Sequence, residues 1–291
     1  VAQTSLLAIV NPLSGTASVR EKQQWVDFLK KDAEEAGFVP EAVFTESPGH
    51  ATELAKAAAR QGIGRVLAIG GDGTVNETAR ALLRTQTALG IVPVGSGNGL
   101  GRHLGLPLRP KQAIGRALKG RPVVIDSGTI NGLPFFCTTG LGFDAYVAHE
   151  FARQATRGLP TYIRTSLAAY RRYRPAEYEV EGEKQRLFSL TVANAGQFGN
   201  NAWIAPKANV SDGLLDLCCM KPFPMQAVLM LGYQLFNRTL DRSSYLSILP
   251  RTRVVVKGQG PLPVHIDGEP VVLESDTARV EVVPSSLLVI L

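Results

Sequence analysis

The stretch Leu67-Ala68-Ile69-Gly70-Gly71-Asp72-Gly73-Thr74-Val75-Asn76-Glu77 decides the fold. A short apolar strand runs into a glycine turn, and a helix is predicted from Val75 to Arg84. Such a turn brings main-chain N–H groups and the positive helix end to where phosphate oxygens can sit. Its glycines let the backbone approach a ligand with no Cβ in the way. A carboxylate at Asp72 would repel phosphate unless it handles Mg²⁺ or accepts a proton. The plainer reading is a tight strand-to-helix turn capped by Asp72.

Outward from this block, the pattern repeats. Leu89–Val94 reads as a strand that enters a second glycine turn, Gly95-Ser96-Gly97-Asn98-Gly99. Ser5–Val10 is an apolar run ending at Asn11-Pro12-Leu13-Ser14-Gly15. Trp25, Phe28, Leu29, Ala33 and Ala36 recur at helical spacing, and Gly37 closes that helix. Ser47-Pro48 reads as N-cap and first position of an Ala-rich helix reaching Arg60. Strands alternating with helices predict a mainly parallel sheet covered on both faces. Two glycine turns at neighbouring strand ends would form one phosphate and ribose cradle, closed on a third side by the Asn11 loop. The chain contains no GxxxxGK[ST] motif, which argues against a P-loop enzyme.

After Asp126 the texture changes. Asn131-Gly132 reads as a hairpin turn, and short strands follow near Glu177–Val180, Leu187–Ala193, Leu214–Met220, Arg253–Lys257 and Val271–Leu273. That density of turns predicts an antiparallel sheet domain, interrupted by helical stretches at Phe143–Tyr173, broken at Gly158-Leu159-Pro160, and at Met225–Phe236. The expected architecture is an N-terminal α/β domain over residues 1–127 and a β domain over 128–291. Gly140–Ala145 fits a relaxed GxGxxA dinucleotide fingerprint but reads better as a helix-entry turn, because no acidic residue ends a second parallel strand about twenty residues on. In Val264-His265-Ile266-Asp267-Gly268-Glu269, Asp267 is a candidate base for a hydroxyl and Glu269 an assistant, or the segment is a plain Asp-Gly hairpin.

Bulk properties bound the rest. The 291 residues are 45% hydrophobic and 19% charged, a globular composition. No apolar run reaches the roughly eighteen residues of a membrane span. Val1–Val10 has no basic leader and reads as no signal peptide. Cys137, Cys218 and Cys219 have neither disulfide-framework nor zinc-site spacing, which predicts a reducing cytoplasm. The net charge of +6 favours anionic partners. Arg153, Arg157, Arg164, Arg171, Arg172 and Arg174 interleave with Phe151, Tyr162, Leu167, Tyr170 and Tyr173, a pattern suited either to anionic headgroups with aromatics at the interface or to a solvated helix face.

In order and spacing these segments resemble the diacylglycerol kinase catalytic-domain family, which includes sphingosine kinases and bacterial lipid kinases. The carrying motifs are Asn11-Pro12-x-Ser14-Gly15, Gly70–Glu77, Gly95-Ser96-Gly97-Asn98, Asp126-x-Gly128, Gly140–Ala145, Ala205-Pro206, Asp212-Gly213-x-x-Asp216 and Asp267-Gly268-Glu269. The resemblance implies an ATP- and Mg²⁺-dependent lipid kinase with an NAD kinase-like first domain and a β-sandwich second, whose last strand returns to the first domain. It implies ATP contacts at Asn11, Ser14, Gly15, Thr45, Gly71, Asp72, Gly73, Thr74, Glu77, Gly95 and Ser96. Asp267 takes the role of general base with Asp72 and Glu269 beside it, Gly142, Phe143 and Asp144 meet the lipid, and Asp72, Asp126 and Asp216 serve Mg²⁺. The implied partner is a lipid at the membrane surface, met reversibly from the cytoplasm, with no nucleic acid and room for a homodimer. Thr16 stands where the family commonly has a basic residue after Ser-Gly, and Asn98-Gly99 where bacterial diacylglycerol kinases often carry Asn-Asp. An NAD kinase shares the GGDGT turn but is expected to lack the late Asp-Gly-Glu hairpin. A non-catalytic nucleotide- or lipid-binding protein would gain nothing from carboxylates facing phosphates.

Overall fold

The computed structural model describes residues 4–154, 156 and 158–291. Val1–Gln3, which open the run read as leaderless, and Arg157 of the basic stretch lie outside them. The chain divides into two compact units, one running to Ile125 and taking in Ser285–Leu291, the other Asp126–Pro284.

In the first unit strands and helices alternate: β1 (Thr4–Val10), α1 (Val19–Glu35), β2 (Phe38–Phe44), α2 (His50–Arg60), β3 (Arg65–Gly70), α3 (Asp72–Leu82), β4 (Ala88–Pro93), α4 (Gly99–His103) and α5 (Pro110–Lys119). The strands pair in parallel in the order β2-β1-β3-β4. Their near-continuous apolar runs are what a sheet covered on both faces requires. Leu6, Ala8 and Val10 of β1 pack with Leu67 and Ile69 of β3 against Val26, Leu29 and Ala33 of α1. Ser18 and Glu21 start α1 with a reciprocal capping box.

One strand lies in a stretch that the sequence left unassigned, and one helix starts later than predicted. Phe38–Phe44 is a strand although it holds Pro40; it is the outermost strand, where proline is tolerated. Helix α2 begins at His50 rather than Pro48, because Ser47 instead accepts the His50 N–H in a turn and left-handed Gly49 (φ 85°) caps the helix.

The second unit is the expected antiparallel β-sandwich. Its elements, the first and last shared across the boundary, are β5 (Pro122–Ile130), β6 (Leu133–Phe135), β7 (Thr138–Gly142), α6 (Phe143–Ala152), α7 (Leu159–Arg172), β8 (Ala176–Val180), β9 (Glu183–Leu187), β10 (Ser189–Ala193), β11 (Leu215–Met220), α8 (Ala227–Phe236), β12 (Leu246–Arg251), β13 (Arg253–Lys257), β14 (Leu262–Ile266), β15 (Glu269–Leu273) and β16 (Thr277–Ile290). One sheet runs β12-β11-β10-β7-β14-β15. Its inner face, with Leu141, Leu190, Leu217 and Val264, packs on Val254 and Val256 of β13 and Val280 of β16. Its alternate residues, Cys218 and Met220, face the other way and pack under α8 on Ala227 and Leu231. β16 starts antiparallel to β13 and ends parallel to β4, with Val289 opposite Leu89. No helix of the described residues is long and apolar enough to cross a membrane.

Candidate active site

Strand order brings the first unit's loops together. With β2, β1, β3 and β4 side by side and parallel, Thr45, the Asn11 loop, the Gly71 turn and the Gly95 turn follow one another along the carboxyl edge of the sheet. The chain leaves β1 toward β2 on one side, while β3 lies on the other, so the edge is a topological switch point.

Hydrogen bonds staple these loops to one another. The Asn11 side-chain amide donates to Thr74 Oγ1 at 3.0 Å, and its Oδ1 accepts from the Leu13 N–H at 2.8 Å. Asp72, expected to meet metal or phosphate, accepts from the N–H groups of Asn98 at 2.8 Å and Gly99 at 2.7 Å. It thereby ties the first glycine turn to the second. Burial pushes its carboxyl above the usual range, opposed by those backbone donors and by Arg102. Asn98 is buried in the left-handed region (φ 55°) and closes its own turn, accepting from Gly95 N–H and donating to Gly95 O. A Cβ on Gly95 would lie 2.5 Å from the Gly71 Cα, so the two turns touch backbone to backbone.

Lys22 is the residue the sequence reading missed. Its ammonium is buried and donates to the carbonyls of Pro12 at 2.7 Å and Ser14 at 2.6 Å, fixing the first loop from behind. Burial lowers its pKa. A cation thus reaches the loop from α1, while Thr16 stands at the usual basic position. The signal was available: positions 22, 26, 29 and 33 form the buried stripe of α1, and a lysine in such a stripe needs buried partners.

The remaining expected nucleotide contacts divide in two. Glu77 Oε1 accepts from the Gly49 N–H at 3.0 Å, and Thr45 N–H donates to Val10 O at 2.8 Å, so both hold loops. Ser14 Oγ donates to Asn11 O. Gly15, Gly73 and Ser96 are exposed. Side chains therefore build the cradle, and its main chain is what it presents. The first-turn N–H groups of α3 and glycines without Cβ atoms suit a chain of phosphates.

In the second unit, Asp267 occupies a left-handed turn (φ 50°). Its carboxylate accepts from the N–H groups of Phe136 at 2.9 Å, Cys137 at 2.7 Å and Thr138 at 3.1 Å. Three main-chain donors on the β6–β7 connection fix its orientation. Glu269 is exposed at the start of β15. His265 is buried, its Nδ1 toward the Gly268 N–H, and burial pushes its pKa down to about 4.

Gly142 (φ 82°) turns β7 into α6. Phe143 stacks on Phe188 with centroids 4.4 Å apart. Asp144 accepts from the Thr191 hydroxyl, with Ser189 also beside it, and burial pushes its carboxyl up to about 6. Burial and then Asp144 itself raise the Tyr162 hydroxyl. Tyr173 lies beside Tyr178, yet its hydroxyl has no hydrogen-bond partner of sound geometry.

Among the described residues no group of three or more His, Cys, Asp or Glu side chains converges as a metal site. Asp72, Asp126 and Asp216 are accordingly not gathered into one ligand set. Asp72 is engaged by the second turn, Asp126 accepts from the Gly213 N–H at 2.8 Å, and Asp216 is raised by burial and by Asp212.

Comparison with known proteins agrees with this construction. Residues 5–130 match the model of the diacylglycerol kinase catalytic domain, and residues 138–291 that of the YegS C-terminal NAD kinase beta sandwich-like domain. The chain belongs to the diacylglycerol kinase catalytic-domain family, and that membership makes it a lipid kinase, for which ATP is the phosphate donor. It is 31% identical over 246 residues to a probable lipid kinase YegS-like protein of Chromohalobacter salexigens, covering 81% of this chain and 79% of that one. It is 30% identical over 291 residues to a diacylglycerol kinase of Mycobacterium tuberculosis, covering 92% and 93%. A crystal structure of a diacylglycerol kinase from Bacillus anthracis has the same fold, with a TM-score of 0.76 and 20% identity over all of this chain and 97% of that one.

Proposed function

We propose that the chain phosphorylates the hydroxyl of a diacylglycerol, a sphingoid base or a related lipid. The observation that carries the reading is the stapled cradle of Asn11, Gly71–Thr74 and Gly95–Asn98, which offers main chain to a phosphate chain. Bound ATP supplies the transferable γ-phosphoryl group. Mg²⁺ bound with the nucleotide would neutralise charge on the phosphates during transfer.

Asp267 orients the acceptor hydroxyl and takes its proton as the oxygen bonds to the γ-phosphorus and the bond to the ADP oxygen breaks. Phosphoryl transfer is loose, so positioning and charge neutralisation carry most of the acceleration. The three N–H donors support this role because they hold the carboxylate at one angle. Gly142, Phe143 and Asp144 meet the lipid, and the enzyme visits the membrane surface reversibly.

Incubating the protein with labelled ATP and a panel of lipids tests the acceptor class. Transfer to NAD and to no lipid would reverse the reading. Asp267→Asn is expected to lower kcat at least about a hundredfold. Because its amide turns an NH₂ toward a main-chain donor, stability also falls, by about 1–3 kcal/mol. ATP affinity is the control: it should be unchanged, and a near-normal kcat would remove Asp267 from the mechanism.

A further inference from the structure

Helix α8 has an inner and an outer face, and both are apolar. Ala227 and Leu231 are buried beneath it with Phe188, Cys218 and Met220. Leu229 is 85% exposed and Tyr233 68%, and Phe236 continues the same stripe, with Met225 and Met230 on its flank. The segment from Pro222 to Asn237 carries no charged residue. A helix on a soluble surface normally turns polar side chains outward. Ten residues are far too few to span a bilayer, so an outward apolar stripe on so short a helix suits a face that lies in an interface plane.

Helix α7 adds to the same side of the unit. The Tyr170 hydroxyl donates to Phe223 O at 2.7 Å, just ahead of α8, and the two rings stack 5.5 Å apart. Tyr162, Tyr170 and Tyr173 therefore turn inward, against Phe151, Phe223 and Phe188, and are not the interfacial aromatics that the sequence suggested. Ile163 and Leu167 are what α7 exposes, alternating with Arg164 and Arg171.

The charges choose the occupant. No Asp or Glu occurs in residues 159–174 or 221–240, whereas Arg164, Arg171, Arg172, Arg174, Lys221 and Arg238 do. Arg238 lies 3.8 Å from the Trp203 ring centre at the carboxyl end of α8. A second copy of this face would set cations against cations. An anionic bilayer takes both components, acyl chains for the stripe and headgroups for its rim.

We propose that α8, flanked by the outer face of α7, inserts shallowly into anionic phospholipid and is the element that docks the enzyme on its substrate's membrane. Its biological purpose rests on the lipid-kinase reading, but its physical test does not. Full-length protein is sedimented with phosphatidylcholine vesicles with and without phosphatidylglycerol. Wild type should partition onto the anionic vesicles, and Leu229→Asp with Phe236→Asp should lower partitioning at least about tenfold. Because the three native cysteines are buried, a fluorophore on Leu229→Cys reports directly. Its emission should shift blue on anionic vesicles and be quenched by brominated acyl chains. Unchanged partitioning of the double variant, or a probe that stays in water, overturns the proposal. So does a wild-type dimer that the same substitutions dissociate in sedimentation velocity, which would assign the face to self-association. Turnover of a short-chain, water-dispersed diacylglycerol should be equal in wild type and variant. A loss confined to the variant would make the face part of the acceptor site and overturn docking. Absence of turnover in both would remove diacylglycerol as the acceptor and leave the vesicle result standing.

Discussion

The cradle of the first unit and the aromatic pocket of the second each enclose a carboxylate, and they treat it in opposite ways. Asp72 receives two main-chain N–H donors from a neighbouring loop. Asp144 receives hydroxyls, from Thr191 and Ser189, among Phe143, Tyr162, Tyr173 and Phe188. Main-chain donors cannot move without moving the loop, so Asp72 converts two flexible glycine turns into one rigid object. Hydroxyls rotate about their C–O bonds, so the Asp144 carboxyl can keep its partners as its protonation changes. The first suits the phosphate chain proposed for it; the second suits the lipid proposed for it.

The largest effect should come from breaking the rigid side of this contrast. Gly15 has φ 65°, and a Cβ there would lie 2.0 Å from the Val94 carbonyl oxygen, in the strand exit that leads to the second turn. Gly15→Ala combines left-handed strain with a backbone clash and should cost about 2–5 kcal/mol. Denaturant unfolding measures it, and ATP affinity should fall in parallel as the loops separate. Normal stability would mean that the Asn11 loop is not locked to the second turn.

How much of this could be read from the chain follows the same divide. The glycine turns were legible because strand, turn and helix are consecutive, and the hairpin at Asn131-Gly132 was legible for the same reason, with both residues at positive φ. The staples were not. Asp72 meets donors 26 and 27 residues away, and Asp267 meets donors 129 to 131 residues away. No local pattern distinguishes a carboxylate that will hold a loop from one that will hold a metal. Lys22 was hidden differently, because its place in the apolar stripe was readable but charge normally signals solvent. The tyrosines of α7 stayed between two readings because their spacing fits an interfacial belt as well as a solvated face, and only their packed partners turn them inward.

The second effect uses protonation, and the second unit holds two groups of opposite sign. Asp144 is raised from 3.8 to about 6. Between those values the folded state binds more protons than the unfolded, so this group's stabilisation is complete below about 4 and is lost as pH rises through 6. His265 is lowered from 6.5 to about 4. There the unfolded state binds more protons, so stability is lost as pH falls from 6.5 through 4. Each shift corresponds to roughly 3 kcal/mol, and over pH 4–6 the two offset each other. Asp144→Asn should expose a slope that rises with pH, and His265→Gln one that falls. Unfolding free energies across that range are the measurement. Parallel curves for wild type and Asp144→Asn would mean the carboxyl is not held up by its pocket.

The smallest effect on stability should separate binding from folding within the cradle itself. Gly73 lies in the first turn of α3, and a Cβ built on it meets nothing within 4 Å. Gly73→Ala therefore has space, and alanine is the better helix former, so stability should be unchanged or rise by up to about 1 kcal/mol. The space it fills is where the phosphate chain is proposed to approach the main chain, so ATP affinity should fall at least about tenfold while adenosine, lacking phosphates, binds as before. Gly15 and Gly73 then form a pair, one glycine needed by the fold and one by the ligand. Equal ATP affinity for Gly73→Ala and wild type would mean that phosphate does not contact the first turn of α3, and the donor site would have to be moved along the sheet edge toward Ser96.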